Sequence, residues 1–173
     1  MVAIIVISII ALLFASCFFV KPVTKKSNPI DSIRISGTLG LKIGHPEKKV
    51  LSKIKGLKLA TEEDIEDYIS QKEIFSGLHV HHITCAKNIF NHIDDITLDI
   101  KYGRLAQITI TFSEKGDNAK QLMPSIIYRI SKRIGRPNYI SNDMSIAKWF
   151  GGYVTLSNLT GYPMNLFIGD SLN

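Results

Sequence analysis

Ile96, Leu98 and Ile100 alternate with Thr97, Asp99 and Lys101, and beyond Tyr102-Gly103 the alternation resumes with Ile108, Ile110 and Phe112 against Thr109 and Thr111. A period of two places one set on each face of a pleated strand, so this stretch reads as a hairpin with one apolar and one wet face. "LHVHHITC" reads as the strand before it. "SIAKWF", "GYVTLS" and "MNLFIG" read as three later strands, separated by Gly151-Gly152 and by "NLTGYP". Trp149 is expected to anchor the core beneath that second set.

Helical spacing alternates with these strands. In "GLKIGHPEKKVLSKIKG", Pro46 suits a first helical position and Glu47 a first turn, Val50, Leu51 and Ile54 face one way, and Gly56 closes the end. "TEEDIEDYISQ" opens with a capping box between Thr61 and Asp64, followed by an Ile65, Tyr68, Ile69 stripe. A longer helix begins near Asp117 with Leu122, Ile126, Ile127, Ile130 and Ile134 on one face; Pro124 must lie in its first turn or kink it. The reading is an α+β chain of two helix-on-antiparallel-sheet halves, residues 31–115 and 116–173.

Residues 2–20, "VAIIVISIIALLFASCFFV", contain no charge. As a helix they would reach about 28 Å, close to a hydrocarbon core of about 30 Å. Residues 1–20 therefore read as a signal peptide or membrane anchor. Ala15-Ser16-Cys17 resembles a bacterial lipoprotein signal, which makes Cys17 the lipidation candidate; an uncleaved anchor or a cleaved secretory signal are the other readings. Residues 21–30, "KPVTKKSNPI", are polar with two prolines and read as a tether. The expected location is a bacterial cell envelope, with the membrane as partner through the N-terminus.

Composition narrows the function classes. The formal charge is +6, but Lys21, Lys25 and Lys26 sit in the tether, and residues 31–173 carry 18 basic against 15 acidic side chains. That balance, without basic-aromatic interleaving, argues against nucleic acid. The lysines of residues 42–58 precede a run of acids, Glu62, Glu63, Asp64, Glu66 and Asp67, and such neighbouring blocks are expected to pair. Arg129, Lys132, Arg133 and Arg136 recur at helical spacing and are expected to form a basic ridge, a candidate partner-binding surface.

Four of the five histidines fall between residues 77 and 92. On a strand His79, His81, Ile83 and Cys85 share one face, and a metal-binding or hydrolytic centre on His79, His81 and His82 is one reading, with Cys85 a third ligand only if the strand bends, His92 available from the following loop and Asp94 and Asp95 close in sequence. The other is a plain strand with His79 and His81 in solvent, Leu78 and Val80 inward and Cys85 packed as a small hydrophobe. No spacing with a catalytic or metal-binding mechanism is present. The expectation is a protein that is not an enzyme, with no metal site and no cofactor.

"GLKIGHPEKKVLSKIKG" resembles the opening of the small outer-membrane assembly lipoproteins of the SmpA/OmlA type, through Leu41, Ile43, Gly44, Val50, Leu51 and Gly56; Leu57-Lys58 replaces their closing proline. "IGRP", Ile134 to Pro137, resembles the closing signal in a second unit. Two such units in tandem would resemble the fold of the β-lactamase-inhibitor protein. The resemblance implies a non-enzymatic envelope module acting through its surface as a scaffold or binding protein, or an inhibitor or immunity protein.

Overall fold

The computed structural model describes residues 28–169. The signal, anchor and lipidation readings of residues 1–20, Cys17 included, lie outside the described residues, as do residues 21–27. Among the described residues no helix is long and apolar enough to cross a membrane.

Among the described residues three helices and nine strands make an α+β fold. In chain order they are β1 (Gly37–Thr38), β2 (Leu41–Lys42), α1 (Glu47–Gly56), α2 (Glu62–Ile74), β3 (Val80–Cys85), β4 (Ile93–Lys101), β5 (Arg104–Phe112), α3 (Gly116–Ile134), β6 (Tyr139–Ile140), β7 (Ile146–Trp149), β8 (Val154–Ser157) and β9 (Asn165–Gly169). β1 and β2 pair with each other. The other seven form one antiparallel sheet in the order β3-β4-β5-β9-β8-β7-β6.

The expectation of two sheeted halves is corrected in one respect. Ile108, Thr109 and Ile110 of β5 pair with Ile168, Phe167 and Leu166 of β9, so the last strand of the chain inserts beside the first hairpin and fuses both strand sets into a single sheet. Alternation leaves a long hydrogen-bonding edge on β5, and pairing satisfies those backbone groups.

Helix boundaries follow local chemistry. Pro46 is the cap residue outside α1, not its first helical residue. Thr61 and Asp64 form the expected capping box: Thr61 Oγ1 accepts from Asp64 N at 3.0 Å and Asp64 Oδ2 accepts from Thr61 N at 2.9 Å. The Lys55–Glu62 pair, 2.7 Å, joins the basic and acidic blocks. In α3 Pro124 lies inside the helix, not in its first turn; lacking an N–H, it leaves the Lys120 carbonyl without its usual partner.

The core lies between the helices and one face of the sheet. Ile96, Leu98 and Ile100 of β4, Ile108, Ile110 and Phe112 of β5, and Leu166 and Ile168 of β9 meet Ala119, Met123, Ile126 and Ile130 of α3 and Val50 and Ile54 of α1. Trp149 is buried as expected, and its Nε1 donates to Gly135 O at 2.9 Å. Pro29 and Ile30, read from sequence as the end of a tether, instead belong to a 3-10 turn, Pro29–Ser32, in which both are buried, and Asn28 Oδ1 caps it by accepting from Ile30 N at 3.0 Å.

Candidate interaction surface

The polar half of each alternating strand forms the opposite face of the sheet. Register lines up one residue from every strand in a single row: Thr84, Thr97, Thr109, Phe167, Thr155, Lys148 and Tyr139. A second row holds Asp95, Thr111, Asn165, Ser157 and Ile146. All of these side chains are at least partly exposed. The face is dominated by uncharged hydrogen-bonding groups, with Phe167 in the central position of its row.

Three side-chain pairs give this face its fixed features. His82 of β3 stands opposite Asp99 of β4, and His82 Nδ1 lies 2.5 Å from Asp99 Oδ1. Thr84 and Thr97 hydroxyls meet at 3.3 Å, while Gln107 Nε2 donates to Thr109 Oγ1 at 3.1 Å. The two cross-strand pairs, with the Gln107–Thr109 bond along β5, hold the rotamers of this face.

The histidines are divided, not gathered. His81 stands on the same face of β3 as Ile83 and Cys85, opposite Ile100, Leu98 and Ile96, whereas His82 points outward with Val80 and Thr84. This reverses the expectation that Leu78 and Val80 face the core: Ile83 and Cys85 are buried, Val80 is only partly so, and Leu78 lies before the strand, exposed. His79 sits against Tyr102, ring centroids 5.2 Å apart. His92 bonds Glu114. Among the described residues no three His, Cys, Asp or Glu side chains converge to hold a metal ion. Burial pushes the Cys85 thiol up to about 12, which keeps it protonated and poor as a nucleophile.

A polar cleft of about 260 Å³ separates α2 from β3, lined by Asp64, Asp67, Gln71, His82, Thr84 and Lys87 among others. Of its two carboxylates, Asp64 is occupied. The Thr61 amide, then Lys87 at 3.0 Å and the Thr61 hydroxyl, hold it down at about 2. It therefore stays ionised near neutrality and serves the helix cap. Beside the cleft Tyr68 Oη donates to Glu47 Oε1 at 3.1 Å, and Lys72 Nζ pairs with Glu47 Oε2 at 2.5 Å. Desolvation first, and then the Glu47 charge, raises the Tyr68 phenol.

The basic residues of α3 are only partly a free ridge. Arg129 pairs with Asp31 at 2.7 Å, and Lys132 lies over the Tyr128 ring at 5.1 Å. Arg133 faces Arg34 across two adjoining cavities. Arg136 falls beyond the helix, which ends at Ile134 with Gly135 at φ 94°, so it is not on the helical face where its spacing placed it.

Composition alone does not mark Asp99, Phe167 or Arg34 as notable. The alternation of residues 96–112 does expose a wet face, but which residues share a row depends on the β5–β9 register, and that is a pairing between distant segments. In comparisons with known proteins, no family model, no curated protein and no solved structure matches the chain.

Proposed function

We propose that this chain is a membrane-tethered protein of a bacterial envelope that works without catalysis, by presenting the open face of its sheet to a folded protein partner. The observation that carries the reading is the uninterrupted row from Thr84 to Tyr139 across all seven strands. Six inter-strand steps of about 4.8 Å make it about 29 Å wide. A patch of roughly 800 Å² per partner, the standard protein interface, is about 28 Å on a side. The face suits a partner surface rich in hydrogen-bonding side chains with an apolar group to meet Phe167. Membrane attachment is supported by the uncharged run of residues 2–20 and the lipoprotein-like Cys17. An envelope scaffold of the SmpA/OmlA kind remains the family that the sequence motif suggests.

Photo-reactive residues placed singly at Thr109, Phe167 and Tyr128 in the full chain, in native membranes, test the reading. Adducts with one protein from Thr109 and Phe167, and none from Tyr128 on the helical side, are the expected result. Adducts that ignore the face, or a purified chain that turns over a small substrate, overturn it. Mass analysis of the mature N-terminus tests the tether separately: an acylated Cys17 is expected, and Cys17→Ser removes that product.

A further inference from the structure

The antiparallel register sorts the turns onto two ends of the sheet. One end gathers the Tyr102-Gly103 hairpin turn, the 150–153 turn between β7 and β8, and the close of α3, where Gly135 O accepts from Trp149. Residues 34–44 close onto the same end, since Gly44 N donates to Leu105 O at 2.7 Å and Ile43 N to Ser36 O at 2.9 Å. The first described residues lie nearby, with the 29–32 turn packed on α3 and Asp31 held by Arg129.

Charge is divided between the two ends. Arg34, Lys101, Arg104, Arg133 and Arg136 stand at the end where the chain enters the domain. Of the acids there among the described residues, Asp31 is taken by Arg129, Glu47 by Lys72 and Asp99 by His82, leaving Glu73. The other end carries Asp94, Asp95, Glu114, Asp117 and Asp143, with Lys87, Lys115 and Lys120 among them. Exposed apolar side chains occur at both ends, Tyr102 and Phe150 at one and Leu159 and Tyr162 at the other. It is therefore charge that distinguishes the ends.

Within the basic end, two adjoining cavities of about 620 and 490 Å³ share Arg34 and Arg133. The first is floored by Ile35, Ile134 and Tyr153. Neither guanidinium has a partner among the described residues. Two free guanidiniums over a partly apolar floor match a phosphodiester with hydrocarbon attached, because the planar fork of arginine takes phosphate oxygens in pairs.

Building on the tethered reading above, we propose that this end of the domain lies against an anionic phospholipid bilayer, with Arg34 and Arg133 taking lipid phosphate groups in the groove between α3 and residues 34–36. The length of chain before the domain makes this reachable. From residue 20 to Asn28 there are eight peptide steps, which span at most about 28 Å, and from Cys17 eleven, at most about 39 Å. Each basic side chain held near an anionic membrane strengthens attachment roughly fivefold, and the effect fades within a Debye length. Lys21, Lys25 and Lys26 precede this end in sequence.

The test uses the full chain reconstituted into vesicles of phosphatidylcholine alone and of phosphatidylcholine with phosphatidylglycerol, read by amide hydrogen exchange. Residues 33–36 and 133–137 are expected to exchange several-fold more slowly in the anionic vesicles. Arg34→Gln with Arg133→Gln is expected to remove that difference while β4 and β5 keep their protection, which shows that the fold survives. A chain that stays with both vesicles but shows no difference at these segments overturns the groove and leaves the tether standing. A chain that stays with neither overturns the tether, and the proposal with it. The same protection produced by inorganic phosphate without vesicles marks a small-anion site and overturns the lipid assignment.

Discussion

Asp99, with only 6% of its side chain exposed, is held by His82, which is 62% exposed, at 2.5 Å across the edge pair of the sheet. His82 is the only side chain that Asp99 bonds among the described residues. Removing it leaves a nearly buried carboxylate without that partner, at a cost of about 1–3 kcal/mol. His82→Ala is therefore expected to lower the denaturant midpoint. Asp99→Thr placed in the same chain is expected to recover part of the loss, because the orphaned acceptor goes with it. An unchanged midpoint for His82→Ala removes this pair from the list of contacts that hold β3.

The pair also marks the limit of what the sequence discloses. Alternation places Asp99 on the wet face, and the wet face is where it stands. The alternation does not say that β3 would seat His82 and not His81 there, because "VHHI" alternates in neither phase and Cys85 and Ile83 had to find the core first. Local signals were legible throughout: the Thr61–Asp64 cap, the Tyr102-Gly103 turn, the buried Trp149. What was hidden is non-local. β9 pairs with β5 over more than fifty residues, and that one pairing decides the number of sheets and the row containing Phe167.

Because β5 and β9 share a ladder, both strand sets are expected to unfold together. Each half carries its own reporter. Trp149, the sole tryptophan, is buried in the second, and the Cys85 thiol is buried in the first. Trp149 emission and Cys85 alkylation, the latter read on its own peptide by mass, are expected to share one denaturant midpoint, as a single cooperative domain requires. Two separated midpoints show that the halves are independent and that the seam contributes little.

Asp64 predicts the shape of the acid limb. Its folded value of about 2, set mainly by the Thr61 amide and by Lys87, lies below the value near 3.9 of an unfolded aspartate. A depressed carboxyl contributes stability that is complete above the unfolded value and is lost as pH falls through the folded one. Between pH 5 and pH 2 the native chain is thus expected to lose more thermal stability than Asp64→Asn, which has no such proton to gain. Parallel curves for the two chains over that range would show that the cap does not discriminate the charged form. Thr61→Ala, which removes only the hydroxyl partner, is expected to cost about 1 kcal/mol at neutral pH.

The seam itself rests on a glycine. Gly169 closes β9 opposite Gln107 at φ 125°, and a Cβ built there would stand 2.2 Å from the Ala106 carbonyl oxygen. That oxygen belongs to the backbone of β5 and cannot swing aside as a side chain end could. Its own N–H donates to Tyr153 O at 2.9 Å, so the strand cannot shift away without breaking a second link. Gly161, at φ 84°, meets nothing within 4 Å and isolates the backbone effect from the collision. Gly161→Ala is expected to cost about 1–2 kcal/mol, the penalty of a left-handed residue that carries a Cβ. Gly169→Ala adds the collision to a strained backbone and is expected to cost more, about 3 kcal/mol or above, with early exposure of Trp149. Equal midpoints for the two variants would mean that β9 can slide on β5, and the row from Thr84 to Tyr139 would then have no fixed alignment to offer a partner.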